Sequence, residues 1–162
     1  MTALVVDTNV PIVANGRSPQ AGPTCVLACI DALDDLRSHH KIVLDNLGHI
    51  LEEYRRHLSA TGQPGVGDAF FKWVWDIQGN PAHCEMVEIR LRDDGQDYEE
   101  FPDDPGLARF DRSDRKFVAV AIASKLDPNV LNATDTDWWH YRECLKRHGV
   151  RVVFLCSALM GH

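Results

Sequence analysis

From one end to the other, the chain alternates short β-branched apolar runs with longer stretches of helical period, and few architectures accommodate that rhythm. Residues 3–6, 41–44, 84–91, 129–133 and 150–155 have the length and composition of strands. Between them, Val26, Leu27, Ile30, Leu33 and Leu36 recur at helical spacing over residues 23–39, with Pro23 suited to a first turn. Leu47, Ile50, Leu51, Tyr54 and Leu58 form a second apolar stripe behind Asp45 or Asn46 as N-cap. Helices are also predicted over 68–77, over 113–125 with Ser113 as cap, and over 138–148. Such alternation predicts an α/β fold, a parallel sheet covered on both faces and joined by right-handed crossovers.

At 162 residues, 44% apolar and 25% charged, the chain is long enough for one domain with a substantial core and too apolar for disorder. No uninterrupted apolar run reaches the roughly 18 residues of a membrane span, and MTALVVDTNV lacks the basic segment and long apolar stretch of a signal peptide. The expectation is a cytoplasmic protein without a membrane partner. The cysteines at 25, 29, 84, 144 and 156 are odd in number and contain no C-x-x-C pair, so they are predicted to be buried or inert thiols. Residues 93–104 hold seven acids in twelve positions and read as a solvated loop.

In open parallel sheets, ligands bind beyond the carboxyl ends of the strands. Asp7 and Asp135 stand there after the first and fourth runs, and Asp114 opens the helix that leads into the fourth. The adjacent acids Glu52 and Glu53 lie off the apolar stripe of their helix, and periodicity does not choose between them. Carboxylates gathered in one cleft offer hard oxygen ligands to Mg²⁺ or Mn²⁺, and such ions promote phosphodiester hydrolysis. The net charge of −7 argues against a general basic surface for nucleic acid, so a bound cation would have to offset local repulsion.

Together these residues resemble the PIN-domain family. An opening strand followed by Asp7, Thr8 and Asn9 is similar to its first signature, and ILEEYRRHL over 50–58 to its acid-bearing helix, with Glu53 matched and Glu52 in reserve. DRKFVAVA, beginning at Asp114, resembles the third motif. NATDTDWW resembles the fourth, with Asp135 in the main role and Asp137 in the lesser one; Ala133 and Thr134 depart from the commonest pattern there. The resemblance implies a three-layer α/β/α sandwich whose five-stranded parallel sheet has order 3-2-1-4-5. It further implies a Mg²⁺- or Mn²⁺-dependent endoribonuclease with Asp7, Glu53, Asp114 and Asp135 as catalytic metal ligands, Asp137 as a further ligand and Asn9 in support. Small prokaryotic relatives are often toxins of toxin–antitoxin pairs, so a protein antitoxin and a homodimer are expected partners. The alternative is a PIN-fold RNA-binding or assembly module without catalysis.

Other features have weaker claims. Arg109, Arg112, Arg115 and Lys116 cluster around Asp114 and suit RNA phosphates, with Arg112 and Arg115 the chosen pair; a solvated, salt-bridged helix start is the competing reading. Trp138 and Trp139 suit stacking on an unpaired base, although at least one is expected in the core. His140, Cys144 and His148 recur every four residues and would share a helix face, but they lack the fourth ligand of a closed zinc site and are read as core and surface positions. A receiver-like phosphoacceptor would need a strand-end Lys, and none presents itself.

Overall fold

A computed structural model describes residues 2–160. Five strands, β1 (Ala3–Val6), β2 (Lys41–Asp45), β3 (Cys84–Val87), β4 (Asn129–Asn132) and β5 (Val152–Phe154), form one all-parallel sheet of order β3-β2-β1-β4-β5. The central strands are buried on both faces, with Val5, Val6, Ile42, Val43 and Val130 fully inaccessible, which is why they read as continuous apolar runs rather than alternating ones. Helices α1 (Asn9–Ala14), α2 (Pro23–His39), α3 (His49–His57), α4 (Val66–Ile77), α5 (Arg115–Ala123), α6 (Thr136–His140) and α7 (Arg142–Arg147) complete the three-layer α/β/α arrangement. Helix α5 lies against β2, β1 and β4 at the centre of the sheet, while α1, α2 and α4 pack on one another. Among the described residues no helix is long and apolar enough to cross a membrane.

Several local expectations change. Helix α1, not anticipated, follows β1 directly; its six residues are too few to display a period, and Pro11 is tolerated because the first-turn N–H it lacks has no intrahelical partner. Strand β3 stops at Val87, and Leu91 instead forms an isolated antiparallel bridge with Tyr98. The helix predicted over 113–125 begins with a 3-10 turn at Arg112–Asp114, capped by Asp111 rather than Ser113: Asp111 Oδ1 accepts from the backbone N–H and hydroxyl of Ser113. Helix α5 is buried over residues 115–121, not along a narrow face. The helix predicted over 138–148 breaks at Tyr141 into α6 and α7. The N-cap of α3 is Gly48 rather than Asp45 or Asn46, but Asp45 still serves the helix start, accepting from the N–H groups of His49 and Ile50 at 2.9 and 2.8 Å.

Two corrections concern long-range contacts. Cys25 and Cys156, expected as inert thiols, are joined in a disulfide with Cα atoms 5.1 Å apart. They stand 131 residues apart, so their meeting is a consequence of the fold and invisible to local spacing. Cys29, Cys84 and Cys144 are free and buried.

The acidic segment over 93–104 is not simply solvated, because Tyr98 and Phe101 carry it inward. Asp97 Oδ2 receives Arg115 Nη1 at 2.6 Å, and the guanidinium also donates to the carbonyls of Ala108 and Phe110 and lies 4.6 Å over the Phe101 ring. Arg115 is only 7% exposed. Removing one member of a buried ion pair leaves its partner uncompensated, so Arg115→Ala is expected to lower stability by about 3–5 kcal/mol in urea unfolding. A loss below about 1 kcal/mol, the scale of an exposed pair, would show that the segment does not depend on this anchor.

Candidate metal centre

The site grows from the adjacency of β1 and β4. The backbone N–H of Asp7 donates to the carbonyl of Leu131 at 3.1 Å, so the chain leaves both strands at the same edge of the sheet. Asp7 is buried, and each of its oxygens has one donor: the Asn9 N–H reaches Oδ1 at 3.0 Å, and the Trp138 indole N–H reaches Oδ2 at 2.6 Å. Asn9 then ties the strand ends together. Its amide donates to Asn132 Oδ1 at 2.7 Å and its oxygen accepts from the Ala133 N–H at 2.8 Å. Asn132 in turn donates to the Asp135 carbonyl at 3.1 Å, and Asp135 Oδ1 caps α6 by accepting from the Asp137 N–H at 2.9 Å.

Asp114, at the junction of the 3-10 turn and α5, completes the group. One oxygen from each of Asp7, Asp114 and Asp135 lies within 4.8 Å of the others. Asp114 is 6% exposed, and its Oδ2 is buried without a hydrogen-bond partner. Such an atom carries the full desolvation penalty unless a proton or a cation satisfies it. Three carboxylates with one orphaned oxygen suit a hard divalent ion.

Glu53 adjoins the three acids without joining them. It is held by the Thr8 hydroxyl at Oε2 and by Lys116 Nζ at Oε1, 2.7 Å away, and its charge acts on Asp7. Glu52 is exposed and bridged to Arg55 at 2.6 Å, so Glu53 is the member of the pair that faces the cluster. Asp137 lies just outside, with Oδ2 accepting from the Asp111 N–H at 3.2 Å. Asn9 is engaged entirely within the protein in aligning the strand ends. Arg112 is exposed and donates to Gln96. Arg115, expected to grip substrate, is instead the buried anchor of the acidic segment, because neighbouring carbonyls and Asp97 surround its guanidinium. Thr8, Lys116, Asn132 and Trp138 were not singled out as supports for the acids. Of these, only Asn132 stands near in sequence to the acid it supports, three residues before Asp135; Thr8 and Lys116 reach Glu53 across 45 and 63 positions, and Trp138 reaches Asp7 across 131.

Electrostatics follow from the packing. Burial raises the pKa of Asp7 to about 7, aided by the charges of Asp135 and Glu53 and opposed by the donors Asn9 and Trp138. Burial raises Asp114 as well, and the charges of Asp7 and Asp135 push it further. Asp137 is raised by partial burial and by the charge of Asp135, against the lowering effect of the Asp111 N–H. Comparison of the chain with protein-family models, curated proteins and solved structures returns no match.

A carboxyl whose folded-state pKa exceeds its unfolded value holds its proton more tightly in the folded protein. Stability is then present at low pH and declines as pH rises from the ordinary carboxylate range through the folded value, about 7 for Asp7 and raised for Asp114. In chelator, unfolding free energy is expected to fall by on the order of a few kcal/mol between about pH 5 and about pH 8. Asp114→Asn should flatten that slope, and Mn²⁺ should restore the native protein at the upper end. Equal slopes for native and Asp114→Asn protein would contradict the proposed strain.

Proposed function

We propose that the chain is a divalent-cation-dependent endoribonuclease of the PIN type. The observation that carries this reading is the convergence of Asp7, Asp114 and Asp135 at the sheet edge with Asp114 Oδ2 buried and unpartnered. The parallel order 3-2-1-4-5 and the flanking Glu53 agree with the resemblance of the four acidic motifs.

On this reading Asp7, Asp114 and Asp135 hold Mg²⁺ or Mn²⁺, with Glu53 and Asp137 at the margin. A bound cation supplies positive charge that acidifies water and offsets charge on the phosphate and the departing oxygen. The chain's own residues set the stage. Trp138 and the Asn9 N–H hold Asp7 in one orientation, Asn132 and the Asp137 N–H hold Asp135, and Lys116 balances Glu53 so that it does not add fully to the repulsion.

Substrate contacts are local, as the net charge of −7 requires. A cavity of about 740 Å³ opens beside Asp135 and Asp137 and is lined by Trp139, His140 and Arg142. The Arg142 guanidinium lies 3.7 Å from the Trp139 ring centroid, an aromatic and cationic pair suited to an unpaired base and its phosphate. Trp138, by contrast, is wholly buried.

Incubation with a mixed pool of single-stranded and structured RNA tests the reading. Native protein with Mn²⁺ or Mg²⁺ should cut and should stop in chelator, and Asp114→Asn should be inactive while folded. Folded, cation-loaded native protein that binds RNA without cutting it would overturn the nuclease and favour the binding module. For a single-stranded substrate, Trp139→Ala is expected to raise KM roughly 5- to 150-fold with kcat nearly unchanged, the range for loss of one base stack. An unchanged KM would remove Trp139 from the substrate path.

A further inference from the structure

A second cluster of ligand-type side chains lies apart from the acidic cleft and shares no residue with it. His148 Nε2 is 2.8 Å from Asp104 Oδ2, Cys144 Sγ is 3.4 Å from the same oxygen, and the three donor atoms lie within 4.8 Å of one another. Spacing alone had suggested His140, Cys144 and His148. The break at Tyr141 sends His140 to the cavity beside Asp135 and Asp137, and Asp104 takes the third place from the loop that precedes α5.

We propose that Asp104, Cys144 and His148 form a transition-metal site selective for Zn²⁺-like ions, with the fourth position left to solvent. Three points of geometry and chemistry support it. The donors come from two segments, and the pair on α7 and its C-cap has the i, i+4 spacing that places both side chains on one face. A thiolate, an imidazole and a carboxylate make a donor set suited to borderline ions such as Zn²⁺ and Co²⁺, whereas Mg²⁺ requires oxygen ligands. Tetrahedral zinc places such donors about 3.4–3.6 Å from one another; Cys144 already stands at 3.4 Å from Asp104, and to admit an ion His148 would open from its 2.8 Å contact with Asp104 and stand off Cys144 within the present 4.8 Å envelope.

Access and charge also fit. Cys144 is 8% exposed, whereas the Asp104 and His148 side chains are 27% and 33% exposed, leaving one open side for entry and for solvent. Binding transfers the Cys144 thiol proton to solvent, so that thiolate, neutral imidazole, carboxylate and a divalent ion sum to zero charge in a half-buried setting. Backbone packing holds the pocket close: Asp104 Oδ1 accepts from the Gly106 N–H at 2.8 Å, and a Cβ at Gly106 would approach Cys144 Sγ to 3.1 Å. An ion here would fasten the segment that runs from Asp104 through the Arg112–Asp114 turn onto α7. It would thus brace the chain that delivers Asp114, whatever the cleft does.

The test uses Co²⁺ as probe with the full chain in its oxidised form, the Cys25–Cys156 disulfide closed so that those sulfurs do not compete. Native protein should develop a thiolate-to-cobalt charge-transfer band that saturates with one Co²⁺, separate from any ion that the oxygen-lined acidic cleft takes up, and Zn²⁺ should abolish it. Cys144→Ala and His148→Ala should each lose that band, while Asp7→Asn, altered only in the acidic cleft, keeps it. With the acidic cleft removed by Asp7→Asn in both backgrounds, Zn²⁺ should raise the Tm of the protein that keeps Cys144 and leave the one that also carries Cys144→Ala unmoved. No band in native protein, or a band retained in folded Cys144→Ala, overturns the assignment.

Discussion

Burying three carboxylates side by side is the constraint around which the rest of this structure is arranged. Asp7, Asp114 and Asp135 come from the end of β1, the start of α5 and the loop after β4, and each is removed from water to some degree where the others repel it. Isolated charges in such a place would neutralise or drive the site apart. Fixed donors moderate the penalty: the indole of Trp138 and the N–H of Asn9 on Asp7, and the N–H of Asp137 on Asp135. Asp114 Oδ2 is left without one, an imbalance that a proton or a bound cation would relieve.

The surrounding structure is shaped by the need to hold these groups still. Asn9 binds Asn132 and the Ala133 backbone, and Asn132 binds the Asp135 carbonyl, fixing how β1 and β4 emerge. Tyr54, fully buried, donates its hydroxyl to the carbonyl of Val6 at 2.6 Å and so connects α3, which carries Glu53, to the strand that carries Asp7. Phe110 packs edge-on against Trp138 at 5.1 Å and beside Phe101, over which Arg115 lies. The acidic segment, the α5 start and the indole that touches Asp7 thereby form one packed unit, and Asp104 with Cys144 and His148 closes its outer side.

The parallel sheet and the placing of the acids were legible from short-range pattern, whereas the strand order 3-2-1-4-5 came from the resemblance to the PIN family and not from the alternation itself. Buried parallel strands announce themselves as apolar runs, and Asp7, Asp114 and Asp135 stand at strand and helix ends where the alternation places them. Glu53 was separable from Glu52 only by motif resemblance, and the structure separates the two physically through Lys116 and Thr8 against solvent and Arg55. What was not legible depends on contacts across the fold. Trp138 to Asp7 and Cys25 to Cys156 each join residues 131 positions apart. Arg115 looked like a surface cation because charge in a sequence does not reveal the carbonyls that will surround it. The break at Tyr141, which replaces His140 by Asp104 in the second cluster, lies in a stretch whose periodicity runs on without interruption.

The central claim is that the three-aspartate cluster is a divalent-cation site. Crystals soaked in Mn²⁺ and measured for anomalous scattering test it most directly. The account expects a strong anomalous peak coordinated by Asp7, Asp114 and Asp135, with Asp114 Oδ2 among the ligands. Manganese bound elsewhere, with this cluster unoccupied at saturating Mn²⁺ and neutral pH, would contradict it.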